Sequence, residues 1–199
     1  MKGQIRKALR ATRRSLPASD HALRSKLAAS AITRLPAFKS GARVAIYLPA
    51  RGETDTAALI AAARRRGIRI FVPVVSDLRH RRLRFHALTD KTRPGVFGIS
   101  VPHGSSRRCD RVVKPRWFNL VVVPLVGVDP KGHRLGMGGG FYDRAFAFRR
   151  SRRRWMGPRM VGLAFECQKI DSISGDPWDL KLDALATEAG IQNFRENLR

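Results

Sequence analysis

Apolar positions along this chain fall into two rhythms, one of helical period and one of short unbroken runs. Residues 3–15 put Ile5, Leu9 and Ala8 on one side of a short basic helix. Pro17 ends it, and Ser19 or Asp20 can cap a second helix reaching about residue 35, with Leu23, Leu27 and Ile32 inward. The run 43–48 (RVAIYL) predicts a first strand that Pro49 stops. A helix over 57–66 follows, capped by Thr54, Asp55 or Thr56 and closed by Gly67 after three arginines that suit its C-terminal dipole. With a second strand over 68–75 this makes a βαβ unit, which implies parallel strands and a right-handed crossover.

Further on, residues 82–88 alternate polar and apolar like a half-exposed strand, and 89–116 reads as loop. Trp117 and Phe118 are expected in the core. The run Leu120-Val121-Val122-Val123, closed by Pro124, suits a strand buried on both faces better than a helix, because consecutive valines restrict χ1. A turn at 129–132 leads to four glycines in five positions, Gly136, Gly138, Gly139 and Gly140, and then to a helix opening at Phe141 with Asp143 in its first turn. Another strand is predicted over 160–165, and 189–199 matches no pattern and is expected to fray.

A strand, a glycine-rich loop and a helix start make a candidate anion site, since residues lacking Cβ let backbone N–H groups converge on phosphate oxygens. A plain flexible turn is the competing reading. GxxxxGK[ST] is absent, and GxGxxG fails because Phe141 stands where the last glycine belongs. Two flanking residues favour phosphate. Arg134 offers a bidentate fork, and Asp143 can hold Mg²⁺, which takes one or two carboxylates plus phosphate oxygens.

Composition narrows the classes. The 40 Lys and Arg against 15 Asp and Glu give a net charge of +25, a field that attracts polyanions. These cations are spread over many segments, and no aromatic set accompanies the arginine-rich stretch 149–154, so a solvated surface is expected over a nucleic-acid interface. Cys109 and Cys167 imply no disulfide framework and agree with a reducing cytosol, and neither joins a zinc-type spacing. No apolar run approaches a membrane span, and the first residues lack the apolar core of a secretory signal. No Ser/His/Asp or Cys/His arrangement stands out.

The stretch Val123-Pro124-Leu125-Val126, followed from Gly132 to Arg144 by Gly-x-Arg-Leu-Gly-Met-Gly-Gly-Gly-Phe-Tyr-Asp-Arg, resembles the signature of the 5-formyltetrahydrofolate cyclo-ligase family. Other stretches resemble it in order from residue 6 to 188, which leaves no room for a removable leader: Arg6-Lys7-Ala8-Leu9-Arg10, the acidic element Glu53-Thr54-Asp55, Phe97-Gly98-Ile99, Gln168, and Trp178 to Asp183. Arg6 stands where the family has lysine, and Val101 replaces an acid of the family's pattern.

The resemblance implies one three-layer α/β/α domain with a mainly parallel sheet, of the ribose-phosphate isomerase and CoA-transferase-like class. It implies ATP- and Mg²⁺-dependent closure of 5-formyltetrahydrofolate to 5,10-methenyltetrahydrofolate, by a cytoplasmic monomer. Carried over residue by residue, it makes Arg6, Arg10, Arg134, Leu135, Gly136, Met137, Gly138, Gly139, Gly140, Phe141 and Tyr142 the ATP contacts. Asp55 first, then Glu53, with Ala50, are expected to take the pterin; Tyr142 contacts the formyl region or packs in the core. Asp143 holds Mg²⁺ with Asp183 as a second carboxylate, and Arg134 and Tyr142 act in catalysis. A nucleic-acid-binding module, and a member of the family acting on another folate or a thiamine-pathway compound, are the alternatives.

Overall fold

The computed structural model describes residues 2–50, 52–102, 112–150 and 157–194. In chain order the elements are α1 (Lys2–Arg14), α2 (Ala18–Thr33), β1 (Arg43–Ala45), α3 (Ala57–Arg65), β2 (Arg69–Asp77), β3 (Arg82–Ala87), β4 (Thr92–Pro94), β5 (Ser100–Pro102), β6 (Val112–Val113), β7 (Leu120–Pro124), β8 (Gly127–Val128), β9 (Arg134–Leu135), α4 (Phe141–Ala145), β10 (Arg159–Leu163), β11 (Ala184–Thr187) and β12 (Gly190–Asn193). Eight strands form one sheet in the order β12-β11-β10-β7-β1-β2-β3-β6. The five central strands, β11 to β2, are parallel, and both edges are antiparallel.

Strand β7 explains why the sheet is covered on both faces. Leu120 and Val122 enter one core with α2 and α3, while Val121 and Val123 enter a second core with Phe85, Phe118 and Phe146. Consecutive residues of a strand point to opposite faces, so an unbroken apolar run has to be sandwiched. Each such buried side chain contributes roughly 1.5–3 kcal/mol. One layer over the sheet is helical. The other is made by α4, the β8–β9 hairpin and the segment around Leu180 and Leu182.

Several local expectations give way to packing. Leu23 and Leu27 are exposed, and α2 buries Ser25, Ala28, Ala29, Ala31 and Ile32 instead. Small side chains let this helix lie close to α3 and β11, and the leucines are left on the outer face. Pro17, not Ser19 or Asp20, precedes its first residue, with no side-chain cap. Trp117 is half exposed, with the Arg43 guanidinium 6.0 Å from its ring centroid, and only Phe118 joins the core. The segment expected to fray contains β12, an antiparallel edge strand paired with β11 from Gly190 to Asn193; residues 195–199 lie outside the described residues. Of the arginine-rich stretch, 151–156 lie outside them too, as does Cys109.

The chain runs from β1 outward to β2 and later returns to β7 on the other side of β1. The sheet therefore changes winding direction between β1 and β7, and a crevice opens there at the carboxyl ends of the strands.

Candidate active site

A cavity of about 1060 Å³ occupies that crevice, walled by the ends of β1, β2 and β7, by α1 and by the loop between β9 and α4. The loop after β1 is locked from inside. Tyr47 donates its hydroxyl to the Thr54 carbonyl (2.9 Å), and Thr56 donates to the Tyr47 carbonyl (2.9 Å). This leaves Glu53 at the cavity wall, accepting the Ala50 amide at 3.1 Å, with Ala50 beside it. Asp55 is turned the other way. It is exposed, lies outside the cavity wall, and caps α3 by accepting the Ala57 amide at 2.9 Å. The predicted order of the two acids is thus reversed at the cavity.

The glycine loop needs its glycines for shape. Gly138 (φ 97°) and Gly140 (φ 65°) are left-handed, which a side chain would strain. Helix α4 has only five residues, so its dipole adds little, and positive charge comes mainly from side chains. Arg6 donates its Nε to the Gly136 carbonyl (2.8 Å), which pins α1 to the loop. Buried Arg134 donates Nη2 to Asp143 Oδ1 at 2.7 Å and lies 5.7 Å from the Tyr142 ring centroid. The same Asp143 oxygen accepts the Leu180 amide (2.9 Å), and Oδ2 takes no hydrogen bond among the described residues. Arg6, Arg134, Leu135, Gly136, Met137, Gly138, Gly139, Gly140, Phe141, Tyr142 and Asp143 all face the cavity.

Besides Asp55, two expected residues do not. Arg10 is half-buried beside the cavity without lining it, whereas Arg13, on the same helix face as Arg6, does line it. Arg10 and Arg13 stand four and seven residues from Arg6, so spacing puts both on its face and does not tell them apart. Asp183 sits away from the cavity, bound through both oxygens to Arg149 Nη2 (2.9 Å each) and accepting the Met160 amide at 2.7 Å. With those lone pairs taken it has little left for a metal. Among the described residues no cluster of three or more His, Cys, Asp or Glu could cage a cation. A divalent ion here would depend on Asp143 and on oxygens brought by a ligand.

Tyr47, Arg81, Phe97, Ile99 and Trp178 also line the cavity and went unread in the sequence as site residues. Phe97, Ile99 and Trp178 belong to stretches that resemble the family's pattern without a role attached to them, and no local pattern marks Tyr47 or Arg81. Burial, reinforced by the charge of Glu53, raises the Tyr142 phenol above its usual range against the pull of Arg134. Burial also lifts Tyr47, with Glu53 and Tyr142 adding to the rise. Both phenols therefore stay protonated at neutral pH and act as hydrogen-bond donors. Guanidiniums, loop amides, one open carboxylate oxygen and a neutral phenol suit binding and neutralising a phosphate chain; among the described residues of the cavity wall there is no nucleophile–base pair for covalent catalysis.

The model of the family described as "5-formyltetrahydrofolate cyclo-ligase family" matches residues 1–188. The 5-formyltetrahydrofolate cyclo-ligase of Haemophilus influenzae is 30% identical over 190 residues, covering 92% of this chain and 97% of that protein. The Escherichia coli K12 enzyme of the same name is 28% identical over 185 residues, with 92% and 98% covered. The solution NMR structure of Aquifex aeolicus 5,10-methenyltetrahydrofolate synthetase superposes with a TM-score of 0.80 at 28% identity, covering 100% of this chain and 95% of that one.

Proposed function

We propose a reading that proceeds from one premise: the chain belongs to the 5-formyltetrahydrofolate cyclo-ligase family. On it the protein is a ligase that closes 5-formyltetrahydrofolate to 5,10-methenyltetrahydrofolate, coupled to conversion of ATP to ADP and phosphate. The observation that carries this is the sharing of one cavity by the Arg134–Asp143 pair, the glycine loop and the Glu53 loop.

A formamide carbonyl is a poor electrophile. Its oxygen attacks the γ-phosphorus of ATP, and the bond to the ADP oxygen breaks. The neighbouring folate amine then attacks the activated formyl carbon and gives up its proton, and phosphate departs with the former formyl oxygen and takes up that proton. Loop amides at 136–140 hold the phosphates, and Arg6 and Arg134 neutralise them. Tyr142 donates its phenol proton in a hydrogen bond toward the formyl oxygen without releasing it. Glu53 and Ala50 receive the pterin against an apolar wall that includes Leu83, Phe97 and Ile99. Asp143 fits Mg²⁺ through its open oxygen, and the ion when bound supplies further neutralisation of phosphate charge. The rest of the step is positioning, which phosphoryl transfer mostly needs.

A reducing cytoplasm agrees with the two scattered cysteines. No helix among the described residues is long and apolar enough to cross a membrane. The basic composition remains the case for a nucleic-acid module, and the family match over residues 1–188 weighs against it. An absorbance assay for methenyltetrahydrofolate tests the reading. Product should form from 5-formyltetrahydrofolate with ATP and not without it; absence of product in both arms refutes it.

A further inference from the structure

The tip of the β2–β3 hairpin holds Arg81 at φ 54°, a left-handed conformation that few residues with a side chain adopt. Among the described residues other than glycine only Phe97 shares that state (φ 62°), and both line the cavity. Backbone outliers of this kind concentrate where a site requires them. The hairpin tip is built to keep this one. The ladder shifts register between Val75 and Asp77, and Asp77 then grips His80 twice, accepting its amide at 2.8 Å and facing its Nδ1 at 2.6 Å.

The result is a guanidinium laid over the glycine loop. Arg81 Nη1 stands 3.9 Å from the point a Cβ on Gly140 would occupy. Among the described residues that guanidinium has no carboxylate and no hydrogen-bond partner. Arg134, by contrast, is committed to Asp143, and Arg6 to the Gly136 carbonyl. Flanking Arg81 on the same hairpin, Val75 and Leu83 form part of the apolar wall with Phe97 and Ile99. Arg81 thus occupies the seam between the phosphate loop and the wall that suits a flat heterocycle.

We infer that Arg81 is the guanidinium that neutralises the phosphoryl group in transit from ATP to the folate oxygen, an inference that rests on the reading above. The bond from phosphorus to the ADP oxygen breaks as the bond to the formyl oxygen forms. Arg81 donates hydrogen bonds to the equatorial oxygens and neither gives nor takes a proton. A planar fork matches that charge better than an ammonium does. Its contribution falls on the transition state, so it is read in kcat rather than in ATP affinity.

The test compares Arg81→Ala, Arg81→Lys and, as a neighbour outside the cavity, Arg79→Ala. Arg81→Ala should lower kcat by about 100-fold with KM for ATP nearly unchanged. Arg81→Lys should recover part of the loss, and Arg79→Ala should match wild type. A second measurement needs no turnover: calorimetry with ADP alone and with ADP plus fluoroaluminate, a planar mimic of the moving phosphoryl group. Wild type should bind the mimic more tightly than ADP, and Arg81→Ala should lose that gain while binding ADP normally. An Arg81→Ala protein with wild-type kcat, or with equal losses for ADP and for the mimic, overturns the assignment. A wild-type protein that ignores the folate yet shows the Arg81-dependent gain would sink the folate reading alone and sustain the role of Arg81.

Discussion

Two arginine–aspartate pairs of near-identical chemistry sit on the same side of the sheet with opposite tasks. Arg134 and Asp143 meet at 2.7 Å beside the glycine loop, and Arg149 and Asp183 meet at 2.9 Å under the start of β10 and β11. The difference lies in the remaining lone pairs. Asp183 spends both oxygens on Arg149 and one also on the Met160 amide, so it ties the entry of β10 to that of β11. Asp143 takes its two bonds on Oδ1 and presents Oδ2 to a cavity of about 1060 Å³. A carboxylate with both oxygens hydrogen-bonded is a structural tie. One with an oxygen left over, next to the glycine loop, is open to a ligand.

The sharpest way to break this contrast is to remove Asp183. Asp183→Ala leaves Arg149 charged and buried without its partner, which should cost about 3–5 kcal/mol in chemical denaturation. The protein that remains folded should keep wild-type turnover; a loss of turnover at unchanged stability would put Asp183 in the site instead.

Asp143→Asn tests the other half. The amide keeps the size and one acceptor oxygen for Arg134 and the Leu180 amide but removes the counter-charge of the buried Arg134 guanidinium, so the denaturation midpoint should fall, by less than in Asp183→Ala, and turnover is compared on the folded protein. Ring closure should fall about 100-fold, the size of a lost electrostatic contact at a reacting phosphoryl group. Turnover near that of wild type in a steady-state assay would end the metal role.

A third variant concerns the turn that delivers Arg134. Asp129 accepts the amides of Lys131 and His133 through Oδ1, and Oδ2 faces His133 Nδ1 (2.8 Å) and the Ile173 amide (3.2 Å). Burial alone would raise its pKa, but the side-chain and backbone bonds from His133 and the Ile173 amide outweigh it, and the net direction is downward. A carboxyl depressed on folding stabilises fully above its unfolded pKa of about 4, and that stability is lost as the pH falls below it. The thermal midpoint should therefore drop below about pH 4, and Asp129→Asn should flatten that slope. An unchanged slope in the variant counts against this account.

The smallest effect is expected on the far side of the molecule. Leu23→Gln and Leu27→Gln on the exposed face of α2 should each change stability by no more than about 0.5 kcal/mol and leave activity alone. A loss of several kcal/mol would mean that these leucines are covered after all.

The glycine-loop part of the cavity wall was legible in the chain because it is a contiguous sequence. Residues 134–143 carry their own instructions, with glycines where φ turns positive and an arginine and an aspartate at either end. The acids of the loop after β1 were legible as a pair but not individually. Glu53 and Asp55 stand two apart, and it is the Tyr47–Thr54 and Thr56–Tyr47 bonds that turn one inward and leave the other to cap α3. Arg81 was invisible, because nothing in Leu78-Arg79-His80-Arg81 says which arginine of a hairpin tip will reach a loop almost sixty residues away.

The sequence by itself determined the βαβ start, the doubly buried strand at 120–124 and the bend of the glycine loop. Each follows from forces acting within a few residues: χ1 restriction in a valine run, and a positive φ that only glycine adopts without strain. Tertiary structure alone decided that Arg13 and not Arg10 reaches the cavity, that α2 buries its alanines and not its leucines, that residues 190–193 become an edge strand, and that Asp183 is a tie where Asp143 is open. Those outcomes depend on what lies opposite each side chain, and a partner distant in sequence leaves no mark on the residues beside it.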